Sequence, residues 1–131
     1  MAYRFNAVKL SAGDMVKIRQ AKDLMTNMME DPPTLLQLSR MIGLNDFKLK
    51  QGFKEMFGTT VFAFLREIRL EKAYRLLQQG DMNVTETSLA VGYSNPSHFS
   101  EAFRSKYGIN PGVFVRSCAR YVSEADANHT P

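Results

Sequence analysis

The sequence predicts an all-α protein with two similar helical units and a long helix between them. Start and stop signals of helices recur along its 131 residues. No stretch alternates apolar and polar residues over five or more positions, so no strand is expected. The segment from Ile42 to Val61 also resembles the segment from Val91 to Pro111. Repetition at this distance indicates one supersecondary unit used twice.

The first predicted helix begins at Ser11 and Asp14, whose spacing is a helix start signal. It ends before Pro32 and Pro33, because proline has no amide donor and disfavours helix in the residue before it. Between these signals, apolar residues recur at helical intervals: Ile18, Ala21, Leu24, Met25 and Met28.

Two shorter helices and a long one are predicted next. Thr34 and Gln37 form a capping box for a short helix that stops at Gly43, a residue suited to a left-handed cap. Asn45 then caps a second helix, which Gly58 closes. After it, a long helix begins at Thr60 and ends at Gly80.

The second unit repeats this plan. Asn83 with Glu86 supplies the start signal, and Gly92 stops the short helix as Gly43 does 49 positions earlier. From Asn95 onward the offset is 50, so one residue has been added in the turn. The matched pairs are then Leu49 with Phe99, Phe53 with Phe103, Phe57 with Tyr107, Gly58 with Gly108, and Phe64 with Phe114.

A short helix that ends in glycine, a tight turn and a second helix form the helix-turn-helix outline, whose second helix can lie in a DNA major groove. At 100° per residue, the first of these second helices buries one face and exposes the other. Leu49, Phe53 and Met56 are on the buried face, and Phe47, Lys50, Gln51 and Lys54 are on or beside the outward face.

The same helical projection is applied to the helix after Asn95. Its predicted buried face contains Phe99, Ala102, Phe103 and the alkyl stem of Lys106. Its predicted exposed face contains Ser97, Ser100, Glu101 and Arg104. These outward residue types suit base and phosphate contacts. Any hydrated helix surface has a similar composition, but the duplication favours nucleic acid. The long helix has about 18 residues and is therefore roughly 27 Å long. This length is close to the spacing of about 34 Å between successive major-groove segments.

Composition and net charge argue against membrane proteins, secreted disulfide-rich proteins and enzymes. The formal charge is +4, and basic residues concentrate between Lys48 and Arg75, as in polyanion-binding proteins and also in many hydrated helical surfaces. A single cysteine, Cys118, which is expected to be buried, fits a reducing cytoplasmic compartment. No membrane span or signal peptide is recognisable. His98 lacks a second metal ligand, His129 has no expected role, and no catalytic constellation is found, so no metal, cofactor or enzyme activity is expected.

The order of elements and two motifs resemble the AraC/XylS family of bacterial transcription regulators, over roughly Asp14 to Arg116. The motifs are the RxxRLxxA pattern of the long helix (Arg66, Arg69, Leu70, Ala73) and GYSNPSHFSEAFRSKYGINP in the second unit. Within the family, KLKQGFKEMFGTTVFAFLREIRLEKA is most similar to regulators of siderophore uptake of the pyochelin type.

The resemblance implies seven helices in two homeodomain-like helix-turn-helix subdomains, and a sequence-specific activator that binds double-stranded DNA in the bacterial cytoplasm, associated with the nucleoid. RNA polymerase is the expected protein partner. By position, base contacts fall on Phe47, Lys50, Gln51, Ser97, His98 and Glu101. Contacts to the DNA backbone fall on Thr34, Lys48, Lys54, Asn83, Ser100 and Arg104.

Three departures from the family pattern bear on affinity. The short helix of the second unit has Thr87 and Ser88 where family members usually have apolar or small residues, which is expected to soften this unit. Many members have Arg at the position of Gln51, and some have Arg at the position of Glu101. Because a carboxylate facing phosphates is unfavourable unless it accepts from a cytosine amino group, we expect the first unit to supply most of the affinity.

The expected organisation is a tail over 1–13, the first subdomain over 14–58, the linker helix over 59–80, the second subdomain over 81–118 and a disordered tail over 119–131. No effector domain is recognised, so no small-molecule ligand is expected in this chain, which is either a fragment or a stand-alone regulator. The alternative hypothesis is a helical module that docks on RNA polymerase or on a partner regulator.

Overall fold

The computed structural model describes residues 8–119, and this part of the chain contains seven helices and no strand. The predicted all-α fold is confirmed. The helices are α1 (Ala12–Asn27), α2 (Leu35–Ile42), α3 (Asp46–Phe57), α4 (Val61–Gln79), α5 (Val84–Ala90), α6 (Pro96–Tyr107) and α7 (residues 111–119). Most of both predicted tails, and His129, lie outside the described residues.

Three capping boxes start helices where the sequence predicts them. Ser11 and Asp14 cap α1 reciprocally. At α2, the Thr34 amide donates to Gln37 Oε1 (2.9 Å) and the Gln37 amide donates to Thr34 Oγ1 (3.2 Å). Asn83 and Glu86 do the same at α5. Each box satisfies two amides that have no partner inside the helix, so these local signals fix the helix starts.

Glycine closes the helices as predicted, with one difference. Gly43 and Gly58 adopt left-handed backbone angles, with φ of 71° and 74°. In the second unit α5 ends at Ala90, because Val91 already departs from helical geometry (φ −96°, ψ 4°). Gly92 has a φ of 100° but lies one residue beyond this cap. The prediction that Gly92 directly stops the helix is therefore wrong by one position.

The internal repeat is reproduced in the backbone hydrogen bonds. The Leu44 amide donates to the Ser39 carbonyl at 3.0 Å, and 49 positions later the Tyr93 amide donates to the Ser88 carbonyl at 2.9 Å. At the offset of 50, the Gly58 amide donates to Lys54 as the Gly108 amide does to Arg104, both at 2.7 Å. The two units thus share one backbone scaffold around different side chains.

Each unit has its own apolar core. The first unit ends at Ile68 and the second begins at Arg69. The first core contains Ile18, Ala21, Met25, Leu38, Ile42, Leu49, Phe53, Val61 and Leu65. The second contains Leu70, Ala73, Leu77, Val91, Phe99 and Phe103. Helix α4 therefore supplies buried residues to both cores.

Two side chains are less buried than the sequence predicts. Lys106 is exposed instead of burying its alkyl stem, and its ammonium lies 5.4 Å from the centre of the Tyr107 ring. Cys118 is half-buried. Lys106 lies in the last turn of α6, where fewer neighbouring residues cover a side chain.

Thr87 is a polar side chain inside the second core. It occupies the position of Leu38 in the first unit, and both residues are 0% exposed. Its hydroxyl has no hydrogen-bond partner, whereas the neighbouring Ser88 hydroxyl donates to the Thr85 carbonyl at 2.8 Å. A buried hydroxyl without a partner costs about 1–3 kcal/mol. The prediction that this unit is softer therefore rests on Thr87.

We expect Thr87→Val to stabilise the second unit by about 1–3 kcal/mol, because valine keeps the shape and removes the unpaired hydroxyl. The measurement is urea unfolding, with amide hydrogen exchange at Phe103 reporting on the second core. Thr85→Val, the same exchange at an exposed position, is the control and should change stability by less than about 0.5 kcal/mol. A loss of stability in Thr87→Val would mean that the hydroxyl has a partner in solution.

Candidate nucleic-acid interface

Helix α3 buries one side and presents the predicted contact residues on the other. Leu49 and Phe53 are fully buried. Phe47 is 65% exposed. Lys50 and Lys54 are exposed, and Gln51 and Lys48 are half-buried. We call Phe47, Lys50, Gln51 and Lys54 the α3 face.

Helix α6 presents the equivalent surface of the second unit. Phe99 and Phe103 are fully buried. Ser97, His98, Glu101 and Arg104 are exposed, and Ser100 is half-buried; we call these five residues the α6 face. A shallow groove of about 360 Å³ brings several of them together, and its lining is Pro96, Ser97, Ser100, Glu101, Arg104 and Asn110.

The start of each of these helices is fixed by an asparagine. Asn45 Oδ1 accepts from the Lys48 amide at 2.7 Å. Asn95 Oδ1 accepts from the amides of Ser97 (2.8 Å) and His98 (3.3 Å), and Pro96 occupies the first turn. Because these residues orient the first turn, the side chains predicted to contact bases project from a well-defined backbone.

Helix α1 supports α3 through two polar contacts that local sequence patterns do not reveal. Lys17 Nζ donates to the Gly43 carbonyl at 3.0 Å, in the turn between α2 and α3. Lys48 Nζ lies 3.1 Å from Asp14 Oδ2. Asp14 and Lys17 are three positions apart and share one side of α1. From the sequence, Asp14 is predicted only as a capping residue, and neither tertiary contact is predicted.

The Asp14 carboxylate is stabilised in its charged form. The hydrogen bond from the Ser11 amide lowers the pKa of Asp14, and the Lys48 ammonium lowers it further. Since the pKa is lower in the folded than in the unfolded chain, this stabilisation is complete above the usual carboxyl pKa of 3.8. It is lost as the pH falls through the lowered value.

The two arginines of the RxxRLxxA motif lie in different environments. Arg66 is exposed and Arg69 is half-buried. The guanidinium carbon of Arg69 lies 5.5 Å from the centre of the Tyr93 ring, and burial lowers the pKa of Arg69. Arg69 therefore packs against the turn that precedes α6, a structural role within the second unit.

The remaining predicted contacts are at helix starts. Thr34 and Asn83 are exposed and cap α2 and α5.

Between residues 8 and 119, no group of three or more His, Cys, Asp or Glu side chains is arranged to hold a metal ion. Over the same range, no helix has both the length and the apolar composition needed to cross a membrane.

We expect Lys48→Met to raise the pKa of Asp14 while leaving it below 3.8, because the Ser11 amide, the larger cause of the shift, remains. The measurement is the NMR chemical shift of the Asp14 carboxyl carbon as a function of pH. Lys54→Met, which removes a lysine elsewhere on α3, is the control and should leave this pKa unaltered. An unchanged Asp14 pKa in Lys48→Met would show that the ion pair does not form in solution.

Comparison with known proteins agrees with this geometry. The family model described as a helix-turn-helix domain matches residues 38–117. The regulatory protein PchR of Pseudomonas aeruginosa is 41% identical over 76 residues, which are 58% of this chain and 26% of that protein. The HTH-type transcriptional regulator GlxA of Rhizobium meliloti is 38% identical over 92 residues, 70% of this chain and 28% of that protein. The chain thus spans about a quarter of the length of these curated relatives.

Solved structures show the same fold. A Chromobacterium violaceum transcriptional regulator with an AraC-type DNA-binding domain has a TM-score of 0.72 and 30% identity, over 83% of this chain and 97% of that one. The DNA-binding domain of AdpA, solved in complex with a target DNA, has a TM-score of 0.72 over 77% of this chain and 91% of that one. Its 18% identity shows likeness of fold alone. The chain belongs to the AraC/XylS family and forms a helix-turn-helix DNA-binding domain of its transcription regulators.

Proposed function

We propose that this chain activates transcription by binding double-stranded DNA of a specific sequence, with α3 and α6 inserted into successive major-groove segments. The observation that carries the proposal is the equivalence of the α3 and α6 faces. Both lie opposite buried apolar residues, and both expose groups that can form hydrogen bonds at matching positions of the repeat.

Base recognition is assigned to the first turns and middle of each helix. In α3, the Gln51 amide suits adenine, Lys50 suits guanine and the exposed Phe47 ring suits a thymine methyl group. In α6, Ser97 and His98 offer adaptable hydrogen bonds, and Glu101 suits the cytosine amino group. Gln51 and Glu101 occupy equivalent positions, so one amide-to-carboxylate exchange gives the two helices different base preferences.

Backbone contacts are assigned to cations and to helix starts. Lys54 and Arg104 occupy equivalent exposed positions and would each meet a phosphate. Ser100 and Lys48 would add contacts beside them. Thr34 and Asn83 place helix amides where a phosphate can accept from them. Two lysines on the α3 face, against a carboxylate on the α6 face, support a larger share of the affinity for the first unit.

The regulatory setting follows from the family. An activator bound near a promoter would contact RNA polymerase, in the bacterial cytoplasm and on the nucleoid, and the chain would have no catalytic activity of its own. The segment from Lys48 to Ala73 resembles regulators of siderophore uptake, which supports control of iron-uptake genes. The alternative, a module that docks on polymerase or on a partner regulator, is favoured by Leu36 and Met41, which are each 50% exposed on α2.

The test of this function is selection of bound duplexes from a random pool, followed by titration of the selected duplex at rising salt. DNA binding requires the logarithm of the affinity to fall linearly with the logarithm of the salt concentration, because phosphate contacts release counterions. The selected site should contain two conserved segments about one helical turn apart, roughly 10 base pairs, one for each helix. Absent or salt-insensitive binding would favour the protein-interaction module.

We expect Lys54→Ala to weaken binding to all sequences alike and to reduce the salt slope by about 0.9, the value for one phosphate contact. Arg104→Ala, at the equivalent position of the second unit, should have a smaller effect on affinity because Glu101 lies beside it on the α6 face. The measurement is fluorescence anisotropy over a range of salt concentrations. A larger loss in Arg104→Ala would reverse the assignment of the dominant unit.

We expect Gln51→Ala to relax the preference at one base pair of the selected site, with a loss of about 1–3 kcal/mol in discrimination and little change in salt slope. The measurement is competition among duplexes that vary at each position. Glu55→Ala, an exposed position one turn further along α3, is the control and should leave base preference intact. A uniform loss at all positions would assign Gln51 to packing or to the DNA backbone.

A further inference from the structure

The ion pair between Lys48 and Asp14 distinguishes one lysine of α3 from the others. Asp14 Oδ2 lies 3.0 Å from the Ser11 amide and 3.1 Å from Lys48 Nζ, so a single oxygen accepts from both. The side chain of Asp14 is 14% exposed and that of Lys48 is 33% exposed. Lys50 and Lys54 are exposed on the same helix and form no ion pair with any residue in the described range.

The carboxylate is held in place by its own helix. The Asp14 amide donates to Ser11 Oγ at 3.0 Å while the Ser11 amide donates back to the carboxylate, which closes the capping box of α1. A lysine side chain ordinarily samples many rotamers, but this one meets a fixed acceptor. Its ammonium is therefore held beside α1, where the carboxylate offsets part of its positive charge in the absence of DNA.

We propose that Asp14 determines selectivity at the DNA interface by competing with phosphates for Lys48. On DNA of unrelated sequence, Lys48 stays with Asp14 and contributes little. On a duplex that the α3 face fits closely, a phosphate held near Lys48 replaces the carboxylate. This inference rests on the proposed function of α3, and it assigns a role in recognition to a residue that does not touch DNA.

The physical basis is the difference between binding to DNA of unrelated sequence and binding to a duplex that the α3 face fits closely. Contacts to phosphates drive binding irrespective of sequence, since each releases counterions. A cation neutralised within the protein releases fewer counterions from loosely bound DNA. Selectivity is the difference between two affinities, so weakening the unrelated complex improves it as effectively as strengthening the correct one.

The experiment measures binding to a random-sequence duplex and to the selected duplex at several salt concentrations. Asp14→Asn should steepen the slope of log affinity against log salt on the random duplex by about 0.9. For each tenfold dilution of salt, the affinity of the variant should therefore rise about eightfold more than that of the unaltered chain. The ratio of affinities for selected over random duplex should fall. Asparagine retains an oxygen that accepts from the Ser11 amide, so the capping box persists.

Two comparisons isolate the ion pair. Asp23→Asn makes the same change of charge nine residues further along α1, on its opposite side, and should not reproduce the effect. In a Lys48→Met background, Asp14→Asn should have no effect on the slope. Persistence of the effect in that background, or an equal effect of Asp23→Asn, overturns the inference.

A separate arm does not depend on any change at Asp14. In the otherwise unaltered chain, Lys48→Met should reduce the slope on the random duplex by much less than Lys54→Met does, and equal reductions overturn the inference. If Lys54→Met leaves the slope unchanged, the proposed function of α3 fails. If Lys54→Met lowers it while Asp14→Asn does not raise it, this inference alone fails.

Discussion

One side of α3 and one side of α6 are buried in apolar cores, and this burial decides how each helix is oriented. Leu49 and Phe53 in α3, and Phe99 and Phe103 in α6, are one turn apart and fully buried. Burying each such side chain contributes about 1.5–3 kcal/mol, against about 0.5–1.5 kcal/mol for a typical hydrogen bond. The apolar residues therefore set the rotation of each helix, and the polar residues occupy the side that remains. An outward face suited to DNA follows from packing before any DNA contact is considered.

The two units of the repeat share their backbone hydrogen bonds but differ in their side chains. Equivalent amides donate to equivalent carbonyls in both units, at nearly the same distances. The side chains on that common backbone differ: Thr87 replaces Leu38 inside the core, and Glu101 replaces Gln51 on the outward face. The shared backbone hydrogen bonds and glycine caps therefore accommodate different side chains at equivalent positions, both in the core and on the outward face.

The sequence predicts those features whose physical causes are local. Capping boxes join residues three apart, and the apolar face of a helix repeats every three to four residues, so both are readable along the chain. Contacts between helices have no such period. Lys48 and Asp14 are 34 positions apart, and no spacing rule pairs them. Helical projection likewise gives the outward direction of Gln51 but cannot show that it is half-buried, since exposure depends on neighbouring elements.

Helix α1 packs through apolar side chains and contacts α3 and the turn before it through polar ones. Ile18, Ala21 and Met25 hold α1 in the first core by apolar burial, so its position does not depend on its polar contacts. Asp14 and Lys17 are therefore free to act on α3 and on the turn before it. We therefore expect a change at either residue to alter charge or backbone support beside α3 while the apolar core of the first unit stays intact.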